Sequence, residues 1–458
     1  MAKVTLSPVT RISGLLSIDV FLDSKGIVKE ADCIGEQFRG FELMLKGRHI
    51  TDAVYFTQRI CGICSMAHGY TAARLAGQIY GLELTPEAIL LQQAMLGAEF
   101  LQNHIRHLYL LALPDYLNPE STPGYTSPRE PRRFSQSQQR LLHEHYFAAM
   151  DYSAKCHEML AVFGGKIPHQ HGLVSEGVAV APTAETSLQF LSLLRQVREF
   201  IEVSMLPDFY LLAEVYPDYW EIGTRPARFL SFGLFDPALG GHFPPSIADG
   251  DKFYPVNVEE ISESVYYSWY QNSPEKTAPD PEKVRGYTWV KAPRYRGMAL
   301  EGGPLARKII RSRLDSSSFK TGAMARLVAR AEEAALIAVW MEQWMQNLPE
   351  HGQYIIPLKT PIRQKAFQYN DAPRGALLHS MSIKEERIES YNVITPSTWN
   401  FSPKDEWGQN GPVEEALIGT KIKNTTDPVE IGRIVRAFDP CLSCAPHLID
   451  PNGRRIRV

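Results

Sequence analysis

The 458 residues, 44% hydrophobic and 22% charged, have the make-up of a globular chain with material for a very large core. Forty-eight basic against fifty-one acidic side chains leave a net charge of −3, which excludes the broad positive surface that holds nucleic acid or an anionic membrane. No apolar run approaches the ~20 residues of a membrane-spanning helix, and Met1-Ala2-Lys3-Val4-Thr5 opens no basic-then-apolar leader, so neither a direct span nor an export signal is expected.

Residues 16 to 34 read as a hairpin: Leu16 to Phe21 alternates with period two, Asp23-Ser24-Lys25-Gly26 is turn chemistry, and Ile27-Val28 restarts the pattern. A helix is expected from Thr51-Asp52, with a cysteine pair within it or at its end. Pro86 opens a core helix over 87–113, whose apolar residues follow helical spacing. A proline-rich loop over 114–136 separates it from a second long helix, about 137 to 163, that Gly164-Gly165 ends. A third runs from about 184 to 215, with Glu185, Glu199 and Glu202 on its polar side and a kink at Pro207. Residues 216–300, rich in Pro, Gly, Tyr and Trp, read as an excursion that packs on this bundle.

A fourth helix, 321–348, buries Ala323, Leu327, Ala331, Ala334, Leu336, Val339, Trp340 and Trp344. Short strands and loops fill 355–400. A last helix, with Asp427 as N-cap and Pro428 first, ends near Phe438. The fold class is α+β: a large single domain on a bundle of long helices, with a small N-terminal hairpin unit and peripheral strand and loop excursions. Its parts are 1–50, β-rich; 51–215, helical; 216–300, the excursion; 301–447, helical with a C-terminal metal motif; and 448–458, a tail.

Six cysteines are too few for a disulfide framework in a chain this long, so the pairs Cys61/Cys64 and Cys441/Cys444 read as metal or redox motifs made in a reducing compartment. Cys33 and Cys156 read as buried small apolar residues. Cys-x-x-Cys lets both thiolates of a pair face one ion, and on spacing alone structural zinc is the first reading. Zinc ribbons, however, close a short loop, whereas these pairs stand near opposite ends of the chain. A site built by the whole fold suits a catalytic centre. His68 and His447 follow the pairs, and Arg59 and Asp439 precede them.

Arg59-x-Cys61-Gly62-x-Cys64-x-x-x-His68 and Asp439-Pro440-Cys441-x-x-Cys444-x-x-His447 resemble the two signature motifs of the large, catalytic subunit of nickel-iron hydrogenases. Pro8-Val9-Thr10-Arg11-Ile12 and Arg39-Gly40-Phe41-Glu42 before them, and Lys291-Ala292-Pro293-Arg294-Tyr295, Gly303-Pro304-Leu305-Ala306-Arg307, Ala372-Pro373-Arg374-Gly375 and Pro396-Ser397-Thr398-Trp399-Asn400 between them, are similar to that family, in its uptake-type branch. The resemblance implies that Cys61, Cys64, Cys441 and Cys444 hold nickel, with Cys64 and Cys444 bridging to an iron that carries cyanide and carbon monoxide. Soft thiolates suit such metals. It further implies Arg374 above the metals, Ser397 beside Pro396 donating to a cyanide, Asp115 and Asp439 as carboxylates of the same canopy, and His68 donating to a bridging sulfur. Glu42, the carbonyl of Val393 and His447 are implied as ligands of a structural magnesium. Read alone, Arg374 is a surface ion-pair residue, Ser397 and Asp115 turn residues, and His68 a core histidine. His104 and His107 share a helix face at i and i+3 and read as core or interface histidines.

One departure matters. The family has Glu where this chain has Ser13, and His at Leu15; that Glu is the first proton relay. A hydroxyl passes a proton but does not hold one as a carboxylate does. The resemblance also implies an iron-sulfur small subunit as electron partner, H2 as substrate, and a maturation protease that removes the tail after His447. Export with the small subunit to the periplasmic side of a membrane is expected, with a cytoplasmic location as the alternative.

Overall fold

The computed structural model describes residues 1–117, 133–272, 278–315, 318–349 and 351–444. Most of the loop expected over 114–136, together with His447 and the tail 448–458, lies outside the described residues. The N-terminal hairpin forms as its alternation predicts, Leu16–Leu22 against Val28–Gly35, and gains a third strand: Ala2–Leu6 pairs antiparallel with the first arm, Val4 opposite Val20. Its apolar face, including Ile18, Val20 and Val28, packs on Ile431, Ile434, Val435 and Phe438 of the last helix. The two ends of the chain therefore share one hydrophobic core.

The long helices are Pro86–Ile105, Gln136–Gly164, Ala184–Phe200 and Ala323–Gln346. Thr85, Ser135 and Thr183 cap the first three by accepting backbone N–H groups, and Gly165 closes the second in the left-handed conformation. The first continues as a wide π-helical stretch, Arg106–Ala112, before a tight turn at Leu113–Asp115. Where the sequence places a kink at Pro207, the chain makes a π-helical turn, Ile201–Met205, and resumes as Leu206–Val215; the wide turn accommodates a residue with no N–H to donate. Helix Ala323–Gln346 is central. It leaves Leu336 and Val339 half-buried but also buries Arg326, Arg330 and Glu333, charged residues that the expected apolar set does not include.

Helices Ser65–Tyr80 and Pro304–Ser312 stand outside the expected set, although the second carries an apolar stripe, Leu305, Ala306, Ile309 and Ile310. The first is rich in Ala and Gly and buried on nearly every side. The last helix spans Val429–Ala437, one residue later than its cap signal suggests, with Pro428 at the N-cap position. Between the helices, Lys365–Ala372, Gly375–Lys384 and Arg387–Ile394 form an antiparallel meander longer than the short strands expected there. The first hairpin turns over just two residues, Pro373 and Arg374, which puts Arg374 at the tip. In the excursion, Arg228–Ser231, Ser246–Asp249 and Lys252–Tyr254 pair in sequence, and Glu301–Gly302 adds in parallel at the edge.

The N-terminal loop is seated on the C-terminal cysteine motif. Ser13 bridges to Cys441, and the N–H groups of Leu442 and Ser443 donate to the Ser13 carbonyl at 2.6 and 3.1 Å. Gly14 makes this possible: its φ is +89°, and a Cβ there would stand 2.3 Å from the Ser443 nitrogen. Gly14→Ala is therefore expected to lower stability by roughly 2 kcal/mol or more. An unchanged denaturation midpoint would show that the two segments do not meet this way.

Candidate metal centre

The first cysteine pair occupies a break between helices. Asp52–Thr57 tightens over Gln58–Ile60, Cys61 is extended (φ −145°, ψ 134°), and Cys64 stands at the N-cap of Ser65–Tyr80. The second pair follows the last helix, where Asp439 turns the chain outward with φ +56°. Sγ of Cys61 lies 3.2 Å from that of Cys441, Cys64 3.8 Å from Cys444, and Cys441 3.2 Å from Cys444. All four sulfurs fall within 4.8 Å of one another and all four residues are buried. Sulfurs about 2.3 Å from a tetrahedral ion stand about 3.8 Å apart, so the set has the dimensions of a metal site. Hydrogen bonding to Cys441 pulls the Cys61 thiol well down and pushes Cys64 and Cys444 well up, so the thiols ionise as one cluster.

Three side chains fix the cysteine motifs, and one of them spans both. Arg39 donates to the carbonyls of Arg59 and Ile60 at 2.9 and 2.6 Å and to that of Ser443 at 3.1 Å. Asn103 donates to the Ile63 carbonyl at 2.8 Å and accepts from Arg374 at 3.0 Å. The Glu99 carboxylate takes the first free N–H groups of Ser65–Tyr80, from Met66 and Ala67, at 2.6 and 2.8 Å. Burial pushes Glu99 up to about 8 despite those two donors. Arg39 belongs to a motif visible in the sequence. Glu99 and Asn103 could be suspected only from the run Glu99, Gln102, Asn103, His104, which is polar for a helix buried all round.

Arg374 reaches this cluster from its hairpin tip. Its Nε donates to the Asp439 carbonyl at 3.0 Å and its Nη2 pairs with the Asp439 carboxylate at 3.0 Å. Arg330 holds the other Asp439 oxygen at 3.1 Å. Burial pushes the Asp439 carboxyl up, but Arg374 and Arg330 outweigh it and hold it below the usual range. Behind Arg330 the chain of contacts runs to His104 Nδ1 at 3.1 Å, from His104 Nε2 to Glu333 at 2.8 Å, and from Glu333 to Arg307 at 2.7 Å. Arg307 also donates to the carbonyls of Ala372 and Pro373, both at 3.2 Å, and so fixes the turn that carries Arg374. Ser397 stands one residue into the short helix Pro396–Asn400, and its Oγ accepts the Cys441 N–H at 3.0 Å.

Asp115 is placed differently from Asp439. Its carboxylate pairs with Arg11 and, at 2.6 and 2.8 Å, with Arg436, which take it down to about 2 against the effect of burial. It thus ties the N-terminal loop to the last helix. The Ser13 hydroxyl donates to Ser443 Oγ at 2.7 Å. His68 Nδ1 is 3.2 Å from His379 Nε2, and its own Nε2 is buried without a hydrogen-bond partner among the described residues. Glu42 accepts from the Val393 N–H at 3.0 Å and shares a small cavity beside Cys444 with Glu263 and Lys291, whose ammonium is 3.9 Å from both carboxylates. Burial outweighs Lys291 and raises the Glu42 carboxyl. His104 and His107 do not face a common ligand: His107 Nε2 donates to the Arg436 carbonyl at 2.6 Å.

The profile of the nickel-dependent hydrogenase family matches residues 39–140 and 122–447. The periplasmic [NiFeSe] hydrogenase large subunit of Desulfomicrobium baculatum is 32% identical, over 98% of this chain and 95% of that one. The uptake hydrogenase large subunit of Azotobacter chroococcum is 29% identical over 99% and 96%. Among solved structures, the D. baculatum [NiFeSe] hydrogenase superposes with a TM-score of 0.92 at 32% identity, covering 97% of this chain and all of that one. The Ni-Fe-Se hydrogenase of D. vulgaris Hildenborough gives 0.91 at 33%, with the same coverage. Similarity thus extends to both the selenium-containing and the uptake kinds.

Burial holds His104 down to about 4 and His107 to about 3, so both are neutral in the folded chain. Unfolding frees them to take up protons below their ordinary value of about 6.5, so the unfolded state binds more protons between there and pH 3–4. Their stabilising contribution is complete above pH 6.5 and is lost as pH falls, at about 1.4 kcal/mol per pH unit for each group. Denaturation midpoints measured from pH 7.5 to 5 should fall accordingly. His107→Gln, which keeps a donor for Arg436, should flatten the slope.

Proposed function

Because the chain belongs to the nickel-dependent hydrogenase family, as a large subunit acting on H2, we propose how its residues divide the work. Cys61, Cys64, Cys441 and Cys444 would hold a nickel-iron centre, with Cys64 and Cys444 as ligands to both metals and Cys61 and Cys441 as ligands to nickel. The observation that carries this reading is the meeting of four buried sulfurs from opposite ends of the chain within 4.8 Å. Such a centre, with cyanide and carbon monoxide on its iron, would supply the electron-pair acceptor for heterolytic cleavage of H2, which yields two protons and two electrons overall.

The chain's own groups receive the proton and shape the site. The terminal sulfur of Cys441 or Cys61 takes the first proton. Arg374, cationic and held by Asp439 and Asn103, offers a fixed fork of donors over the sulfurs. The Ser397 oxygen is occupied by the Cys441 N–H, which leaves its hydroxyl hydrogen for a cyanide beside Pro396. Asp439 keeps Arg374 in place, Asp115 keeps the N-terminal loop in place, and His68 donates to a bridging sulfur. Glu42, the carbonyl of Val393 and His447 hold a magnesium ion. Support comes from the buried Glu42 carboxyl, which Lys291 alone does not balance.

The electrons leave to a small subunit with iron-sulfur clusters, since beyond the four site cysteines this chain has just Cys33 and Cys156, each buried and apart from the motifs. Gly62, between Cys61 and Cys64, is exposed beside exposed Arg59 and Tyr55, and the partner docks on this face. No helix among the described residues is long and apolar enough to cross a membrane. The periplasmic relative favours a membrane-associated, periplasmic location reached with the small subunit, and a cytoplasmic one is the alternative. A maturation protease cleaves after His447. The reading in four parts, 1–50, 51–215, 216–300 and 301–447, describes segments of one working unit.

A second reading, a hydrogen sensor or slow-turnover enzyme, rests on Ser13, whose hydroxyl meets that of Ser443 in place of a carboxylate. Ser13→Glu should raise H2 turnover by about tenfold or more if the relay limits the rate, with unchanged turnover pointing to another proton route. For the main reading, the purified active heterodimer should contain nickel and iron, show infrared bands of cyanide and carbon monoxide, and give a large-subunit mass ending at His447. Zinc alone without those bands would overturn the metal assignment, and a mass that retains Val458 the processing step.

A further inference from the structure

His68, His379 and Tyr391 form a line of three buried rings that leads away from the cysteine cluster. His68 Nδ1 and His379 Nε2 are 3.2 Å apart, and His379 Nδ1 is 2.8 Å from the Tyr391 hydroxyl. The two histidines are fully buried and Tyr391 is 4% exposed. The strand register produces this alignment: His379 pairs with Val393, so Tyr391, two residues earlier, is its diagonal neighbour on the same face of the meander. His68 lies in the first turn of Ser65–Tyr80, its N–H 3.4 Å from the Cys64 carbonyl. Helical side chains lean toward the N-terminus, so its ring is turned back toward the cysteine motif.

Both imidazoles are neutral, since burial takes His68 down to about 4 and His379 well below its ordinary value. A neutral imidazole has one donor and one acceptor nitrogen, so the state of each ring fixes the state of the next. At the far end stands a phenol. A phenol's ordinary value of about 10 already keeps the hydroxyl protonated at neutral pH, and burial makes it a weaker acid still. Were Tyr391 to accept from His379, its own hydrogen would be left buried without an acceptor, because among the described residues the hydroxyl's partner is His379 Nδ1.

We propose that Tyr391 and His379 are positioning residues that set the tautomer of His68. The Tyr391 hydroxyl donates to His379 Nδ1, His379 Nε2–H donates to His68 Nδ1, and His68 is left with its hydrogen on Nε2. That nitrogen is buried and without a partner among the described residues. An N–H there stabilises a thiolate, whereas a lone pair would repel it. The link to sulfur rests on the proposed role of His68, but the tautomer assignment does not.

The test is nuclear magnetic resonance of the full chain labelled with 15N-histidine, reading which nitrogen of each ring carries hydrogen, alongside H2 oxidation by the heterodimer. Wild type should show His68 and His379 both protonated on Nε2. Tyr391→Phe and His379→Leu should each shift His68 to a mixture that includes the Nδ1–H form and lower turnover about tenfold. His379→Gln, whose amide can donate to His68 and accept from Tyr391, should restore the Nε2–H signal and most of the turnover lost in His379→Leu. A wild-type His68 protonated on Nδ1 overturns the proposal, whatever the variants do. A His68 that stays wholly in the Nε2–H form in His379→Leu, with no Nδ1–H signal, also overturns it. The expected tautomers in a protein without hydrogenase activity would uphold the relay and count against the functional reading instead.

Discussion

The whole structure depends on bringing together sulfurs 380 residues apart. Closing a loop of that length costs about 5 kcal/mol in chain entropy before any constant term, comparable to the net stability of a domain. Two Cys-x-x-Cys turns have nothing of their own with which to offset it. The offset comes from the shared core of the N-terminal sheet and the last helix, where Val20 and Val28 meet Ile434 and Val435. Once those surfaces join, Ser13 lies beside Cys441, and Arg39 can span Ile60 and Ser443. The metal site is therefore a consequence of the fold rather than a staple added to it.

A second constraint follows from putting charges in that core. Asp439, Glu333, Asp371, Asp115 and Glu301 are all buried, and each has an arginine: Arg374 and Arg330, Arg307, Arg307, Arg436 and Arg326. Such pairs add little net stability, because desolvation of both partners offsets most of their attraction. Their value here is geometric. Arg307 bonds Glu333, Asp371 and two carbonyls of the 372–375 turn at once, so the tip that carries Arg374 has one satisfied position. Asn400 adds to this from Pro396–Asn400, accepting from Gly302 N–H at 3.0 Å and donating to the Gly302 carbonyl at 3.1 Å. The motifs spread along the middle of the chain thus converge on one guanidinium.

What could be read from the sequence was whatever depends on near neighbours. The cysteine pairs, the alternating hairpin at 16–34 and the four long periodic helices are local patterns, and each forms. Strand Ala2–Leu6 has no local turn to its partner, and Ser65–Tyr80 hides because small residues buried all round leave no stripe. Arg330 and Glu333 are charged residues that an apolar count passes over, yet both are buried, since their partners come from Pro86–Ile105, Pro304–Ser312 and the second cysteine motif. Asp115 and Asp439 look equivalent as lone carboxylates. Only the arginines that surround them, none of which is close in sequence except Arg436 to Asp439, set one beside the sulfurs and the other on the N-terminal loop.

Position 13 separates two roles that a single residue can combine. Its backbone carbonyl takes two N–H groups from the second cysteine motif, a task indifferent to the side chain. Its side chain is then directed at Ser443, which stands between Cys441 and Cys444 and whose carbonyl is held by Arg39. A hydroxyl in this place leaves the seating of the loop to the backbone and cannot store a proton at neutral pH as a carboxylate would. Two hydroxyls in contact can still pass a proton by exchanging donor and acceptor roles, but only when something beyond them accepts it in the same event. The structural role of the position thus rests on its backbone, and any proton passing its side chain depends on whatever lies next to Ser443.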